Sequence, residues 1–146
     1  MTDGNQGRLA LAAANKKLVI DFYRHVFDAL DPGAVKDFVH EDYVQHCRHM
    51  PSGRAGLEGL VAHISGGKKP LPVPATMANP PVFILAEDDL VTIGGSLPQP
   101  DPERPGEFYD YFIVDTFRVR DGKLAEHWSS VNKVAPPRHD YLMRKG

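Results

Sequence analysis

Asp121-Gly122 constrains this chain more than any other pair of residues, because it sits between two stretches in which apolar and polar side chains alternate. Asp-Gly favours the positive backbone angles of a tight two-residue turn. Residues Glu107–Ser130 therefore read as one long β-hairpin. Counting outward from the turn, Arg120 faces Lys123, Val119 faces Leu124, Arg118 faces Ala125, Phe117 faces Glu126, Thr116 faces His127 and Asp115 faces Trp128. Side chains alternate between the two faces of a strand. One face then carries Tyr109, Tyr111, Ile113, Asp115, Phe117, Val119, Leu124, Glu126 and Trp128, and is expected to be buried. The other carries Thr116, Arg118, Arg120, Lys123, Ala125, His127 and Ser129, and is expected to face solvent. Asp115 and Glu126 are the anomalies of the apolar face. A buried carboxylate costs several kcal/mol unless it is paired, hydrogen-bonded or protonated. A carboxyl group in a dry pocket can take and return protons near neutral pH. The assignment depends on register, since a slip of one residue moves Asp115 to the other face.

The rest of the chain supplies helices to cover such a sheet. Leu11, Leu18, Phe22, Val26 and Ala29 recur at helical spacing, with Ile20, Tyr23 and Phe27 widening the stripe, so a helix is expected over about Leu9–Leu30, after a flexible segment 1–8. Asp31-Pro32-Gly33 ends it, and a short second helix follows over Ala34–Phe38. Tyr43–Cys47 reads as a short strand and Arg54–Ile64 as a third helix, stopped by Ser65-Gly66-Gly67. Residues 68–80, with Pro70, Pro72, Pro74 and Pro80, run extended. Pro81–Ala86 and Leu90–Leu97 read as strands around an acidic turn, and Pro98–Gly106 as a Pro-rich loop. Helices first and antiparallel strands afterwards make an α+β arrangement: a cone-shaped curved antiparallel sheet with about three helices on its concave face. Such a cone encloses a pocket. Residues 1–146 are expected to form one domain, with 133–146 as a C-terminal arm.

Composition narrows the function. The net charge of −2 offers no basic surface for nucleic acid or for an anionic membrane. No apolar run reaches the roughly 18 residues of a membrane span, and no secretory leader is evident, so a cytoplasmic protein is expected. The lone Cys47 can form no internal disulfide.

Two stretches resemble a known family. Tyr43–Leu57, YVQHCRHMPSGRAGL, is similar to the Y-x-Q-H-x-x-H-x-x-x-G-[RK]-x-G-[LF] segment of SnoaL-like proteins. Val114–Trp128, VDTFRVRDGKLAEHW, resembles their V-D-[IT]-F-R-[VI]-x-[DN]-G-K-[IL]-x-E-H-W signature. The resemblance runs from about Asn15 to Asn132 and implies the nuclear-transport-factor-2-like α+β cone. The namesake enzymes are polyketide cyclases, which perform an intramolecular aldol condensation with an aspartate acid/base and no cofactor or metal. Asp115 occupies the place of that aspartate. Two positions depart from the pattern: Ser129 stands where an Asp usually follows the Trp, and Leu90–Leu97 lacks the His found there in cyclase-like members. The superfamily also holds isomerases, dehydratases, hydrolases and non-catalytic binders, so fold alone does not decide function.

The expected site follows. Asp115 is the candidate base for a proton α to a carbonyl, and His46 the candidate donor to the enolate. Tyr43, His49, Phe83, Tyr111, Glu126 and Trp128 are candidate substrate-binding residues, with Trp128 desolvating Asp115. His46 and His49 form an H-x-x-H pair without a carboxylate and third ligand at metal spacing, so no metal is expected. His127 is expected to be structural on the outer face. The ligand class is a small apolar carbonyl compound. An exposed sheet face around Phe112, like the resemblance, implies a homodimer. Three readings stay open: a cofactor-independent cyclase or isomerase, a non-catalytic small-molecule binder, and an interaction module whose pocket is filled by its own side chains.

Overall fold

The computed structural model describes residues 2–47, 50–130 and 132–133. Helix α1 (Thr2–Phe22) runs into a π-helical turn (Tyr23–Asp28), then a 3-10 turn (Pro32–Ala34) and the short α2 (Val35–Phe38). Then come β1 (Val39–Gln45), α3 (Arg54–Ser65), β2 (Phe83–Glu87), β3 (Leu90–Pro100), β4 (Phe108–Arg120) and β5 (Lys123–Ser129). The strands form one sheet in the order β1-β5-β4-β3-β2. The helices pack on one face of this curved, unclosed sheet, as the α+β reading expects.

Several expectations change in detail. The sheet is mixed, because β1 pairs parallel with β5 while the other pairs are antiparallel. Parallel neighbours need a long crossover, and here α3 and three strands intervene between the partners. Helix α1 begins at Thr2 rather than near Leu9. Its early side chains, Asp3 to Ala10, are exposed, so no apolar stripe marks them. Strand β3 continues through Pro98 to Pro100 and pairs with β4 as far as Phe108, so the loop begins later than its prolines suggest. The C-terminal arm lies outside the described residues beyond Lys133.

The hairpin forms where expected. Asp121 and Gly122 take φ of 48° and 72°, the two positive angles of the turn. The register then departs from the expected one. Val119 pairs with Leu124, but Arg118 pairs with Glu126, leaving Ala125 as the extra residue of a β-bulge. Beyond it, Phe117 faces His127, Thr116 faces Trp128 and Asp115 faces Ser129. The bulge has an energetic reason. Without it, the Glu126 carboxylate would enter the apolar face beside Phe117 with no partner. With it, Glu126 reaches Arg118 Nε at 3.0 Å on the outer face, and Ala125 is buried beside Leu124.

Phe22, Val26, Val35, Val39, Val61, Val91, Phe117 and Leu124 build the core between helices and sheet. Full burial of such a side chain stabilises by roughly 1.5–3 kcal/mol. Phe22 stands edge-on to Phe117 at 5.8 Å, tying α1 to the middle of β4. Two glycines turn β1 into α3. Gly53 has φ of 85° and its N–H bonds to the Tyr43 carbonyl at 2.7 Å. At Gly56 a Cβ would lie 2.7 Å from the Pro51 carbonyl oxygen, so only glycine lets the helix start so close to the loop.

Candidate active site

Between α1, α3 and the concave sheet face lies a cavity of about 380 Å³, within the roughly 300–1,000 Å³ of small-molecule sites. Its walls are mainly apolar: Phe22, Phe27, Leu57, Leu60, Ile93 and Ile113, with Met50 and Met77 adding adaptable surface. Polar groups gather at one side, where Tyr23, Tyr43, Gln45, Asp115, His127 and Ser129 line the same space.

Each arrives there by local structure. Asp115 is on the inward side of β4, two residues from Phe117 and Ile113. His127 faces it because of the bulge at Ala125. Tyr43 and Gln45 lie two apart on β1 and so share a face. Tyr23 opens the π-helical turn that ends α1; such widened turns recur at functional sites.

The hydrogen bonds form one chain. Asp115 Oδ1 lies 2.8 Å from His127 Nε2, and Oδ2 accepts from the Tyr23 hydroxyl at 2.7 Å. His127 Nδ1 lies 2.7 Å from Gln45 Oε1, which also accepts from the Cys47 N–H at 2.9 Å. Gln45 Nε2 donates to the Tyr43 hydroxyl over a long 3.4 Å. The His127 ring stacks on Phe117 at 4.7 Å. Asp115 is 7 % exposed and His127 4 %. A pair so placed is costly to desolvate and depends on every remaining bond being made. Burial, then the charge of Asp115 and its hydrogen bond, push the Tyr23 phenol well above its ordinary range. Burial and then Asp115 do the same to Tyr43. Both hydroxyls therefore stay protonated and remain donors.

Of the expected site residues, the cavity gathers Asp115 and Tyr43. Glu126 and Trp128 do not face it; the bulge turns both to the outer side of the sheet. There His46, the expected enolate donor, stacks on Trp128 at 4.8 Å and bonds to Glu126 Oε2 at 2.7 Å, away from Asp115. The Arg118 guanidinium lies 5.7 Å from the centre of the same Trp128 ring. Phe83 pairs with Gly94 and lays its ring where a Gly94 Cβ would be, outside the cavity wall. Tyr111 lies on β4 four residues before Asp115, but its hydroxyl bonds to Ser130 Oγ at 2.8 Å and it is not a lining residue. His49 lies outside the described residues. Ser129, expected in solvent, lines the cavity.

The sequence reading missed His127, Tyr23 and Gln45. The signals were present but weak. Glu126 in an otherwise apolar face asked for a bulge, Tyr23 put a hydroxyl in a helix stripe, and Gln45 stood two residues from Tyr43. Leu90–Leu97 brings no His to the pocket; the imidazole that lines it, His127, comes from β5. Among the described residues no group of three His, Cys, Asp or Glu side chains converges as a metal site would require, and no helix is long and apolar enough to cross a membrane.

The class is set by fold and match together. The SnoaL-like domain model matches residues 19–127, and the chain belongs to that family. No curated protein sequence matches it significantly. Among solved structures, a SnoaL-like polyketide cyclase, so assigned provisionally, from Jannaschia sp. CCS1 superposes with a TM-score of 0.61 at 16% identity, over 85% of this chain and 89% of that one. AclR from Streptomyces galilaeus, provisionally a hydroxylase, gives 0.57 at 16% identity over 92% and 95%. A protein with a ketosteroid isomerase-like fold from Catenulispora acidiphila DSM 44928, solved with trimethylamine, gives 0.55 at 15% identity over 81% and 87%. At these identities the likeness concerns the fold alone.

Proposed function

We propose that this SnoaL-like protein is a cofactor-independent enzyme of the cyclase or isomerase type, in which Asp115 moves a proton α to the carbonyl of a small apolar compound. The observation that carries this is a buried Asp115–His127–Tyr23 cluster on one side of an otherwise apolar cavity. A carboxylate offers about four acceptor positions, and His127 and Tyr23 take one on each oxygen. A remaining lone pair of Asp115 takes the α-proton from the ligand, and the electron pair of the broken C–H bond moves onto the carbonyl oxygen. The Tyr43 hydroxyl, kept protonated by its surroundings, donates to that enolate oxygen. The proton then returns from Asp115 to another carbon (isomerisation), or to the alkoxide formed when the enolate carbon adds to a second carbonyl (aldol closure).

A second reading has its own support. Both Asp115 oxygens already hold a protein donor and the residue is nearly buried, the pattern of a carboxylate that organises a binding pocket without chemistry. Deuterium uptake separates the two. Bicyclic aryl ketones, 1-tetralone first, are incubated in deuterated water with wild type and with Asp115→Asn, and binding is followed by native mass spectrometry. Exchange of the α-protons by wild type alone is the expected result. Equal binding with no exchange by either protein overturns the enzyme reading in favour of the binder. No binding at all overturns both and leaves a fold whose pocket serves packing.

We further propose a homodimer formed through the outer sheet face. Leu85, Phe108 and Phe112 are exposed on β2 and β4, with Val82 beside them, a sizeable apolar area for a lone chain. Light scattering is expected to give twice the monomer mass, and Phe112→Asp to give the monomer; a wild-type monomer at micromolar concentration overturns it.

A further inference from the structure

The hydrogen-bond chain leads from Asp115 through His127 to Gln45, to which the proposed chemistry assigns no role of its own. Gln45 Oε1 meets two nitrogen atoms, Cys47 N at 2.9 Å and His127 Nδ1 at 2.7 Å. A backbone N–H only donates. Turning the amide over would set an NH₂ group against it, so the oxygen must stay where it is. The backbone that aims this N–H is itself clamped: Gln45 N–H donates to Ser52 Oγ at 2.8 Å and His46 N–H to the His127 carbonyl at 2.9 Å. An amide oxygen facing Nδ1 obliges Nδ1 to carry hydrogen. The contact of Nε2 with Asp115 Oδ1 at 2.8 Å then needs a second proton, held on one of those two atoms.

We propose that Gln45 is a positioning residue: by fixing hydrogen on Nδ1 of His127 it forces an additional proton into the His127–Asp115 contact. This rests on the proposed function for its catalytic consequence, but not for its structural one. Without Gln45 Oε1, a neutral His127 would satisfy Asp115 from Nε2–H alone and leave Nδ1 bare. With it, the pair holds one more proton. When Asp115 then accepts the α-proton, the pair carries a positive charge beside the enolate it has made. In a mainly apolar cavity that charge favours the enolate more than it would in water.

The test reads the imidazole directly. Long-range ¹H–¹⁵N spectra of ¹⁵N-labelled wild type, Gln45→Leu and Gln45→Glu report which ring nitrogen of His127 carries hydrogen, with the resonance assigned by its loss in His127→Gln. Wild type should show a protonated Nδ1. Gln45→Leu should move to the Nε2–H form, and Gln45→Glu, which keeps an acceptor oxygen, should restore hydrogen on Nδ1. A merely structural glutamine would not produce that rescue. With 1-tetralone, Gln45→Leu should lower kcat for α-proton exchange about 10²-fold, the size expected of a mispositioned group, with KM changed little. A wild-type His127 with bare Nδ1, or an unchanged tautomer in Gln45→Leu, overturns the proposal. If Gln45→Leu does not fold, the wild-type spectrum and Gln45→Glu decide alone. If wild type exchanges no α-protons while the tautomers behave as described, the enzyme reading fails and the positioning role stands.

Discussion

The two faces of this sheet each carry a histidine–carboxylate pair. Inside, His127 Nε2 lies 2.8 Å from Asp115, and the two side chains are 5 % and 10 % exposed. Outside, His46 Nε2 lies 2.7 Å from Glu126, and the side chains are 40 % and 25 % exposed. The contact distances barely differ, yet only the inner pair has the makings of a site. Outside, water screens each charge, and Arg118 offers Glu126 a second partner. Inside, Asp115 has His127 and Tyr23 and a cavity beside it, so any proton it moves must pass among named groups. Pairing is common to both; exclusion from solvent is what makes the inner pair the candidate.

The widest gap between the two pairs is expected in activity. Asp115→Asn should lower α-proton exchange by roughly 10²–10⁴, the range for a general acid–base group, whereas Glu126→Gln should leave the rate near wild type. A comparable loss in both would show that burial does not set them apart. Next comes stability. His127→Leu strands the Asp115 carboxylate and should cost about 3–5 kcal/mol in urea unfolding, the usual result of breaking a buried pair. Tyr23→Phe keeps the ring and removes one donor to that carboxylate, with an expected loss of about 1.5–3 kcal/mol.

The pH limits should also separate the faces. Tyr23 and Tyr43 hold their protons above the ordinary value of 10.0 because of burial and Asp115. Their contribution is complete below that value and is lost as pH rises above it, so the inner network fails on the alkaline side. Glu126 is held below its ordinary 4.5, first by His46 and then by Arg118. Its contribution is complete above 4.5 and is lost as pH falls toward its folded value. Urea unfolding across pH should therefore show an alkaline limb that Tyr23→Phe shortens and an acid limb that Glu126→Gln shortens. Swapped limbs would refute the assignment of either network. The smallest effect at neutral pH belongs to His46→Ala, which removes the stack on Trp128 and one of the two partners of Glu126 and should leave the melting temperature there nearly unchanged.

Sequence alone determined most of the elements of this protein and two residues of its cavity, Asp115 and Tyr43. Helical spacing marks α1 and α3 because burying one stripe demands it, and Asp121-Gly122 marks the turn because few residues accept two positive angles. Asp115 was legible as a carboxylate among aromatic neighbours. The tertiary structure decided which histidine meets it. A bulge of one residue at Ala125 exchanges Glu126 and Trp128 for His127, and the sequence marks it only by a carboxylate, Glu126, in an otherwise apolar face. Its cause is non-local: Glu126 gains Arg118 from β4 and His46 from the segment just after β1, and His127 gains Asp115, Gln45 and the face of Phe117. Tyr23 and Gln45 were hidden for the same reason, since their partners lie 92 and 82 residues away along the chain. Periodicity shows which residues leave water, and packing decides which of them meet.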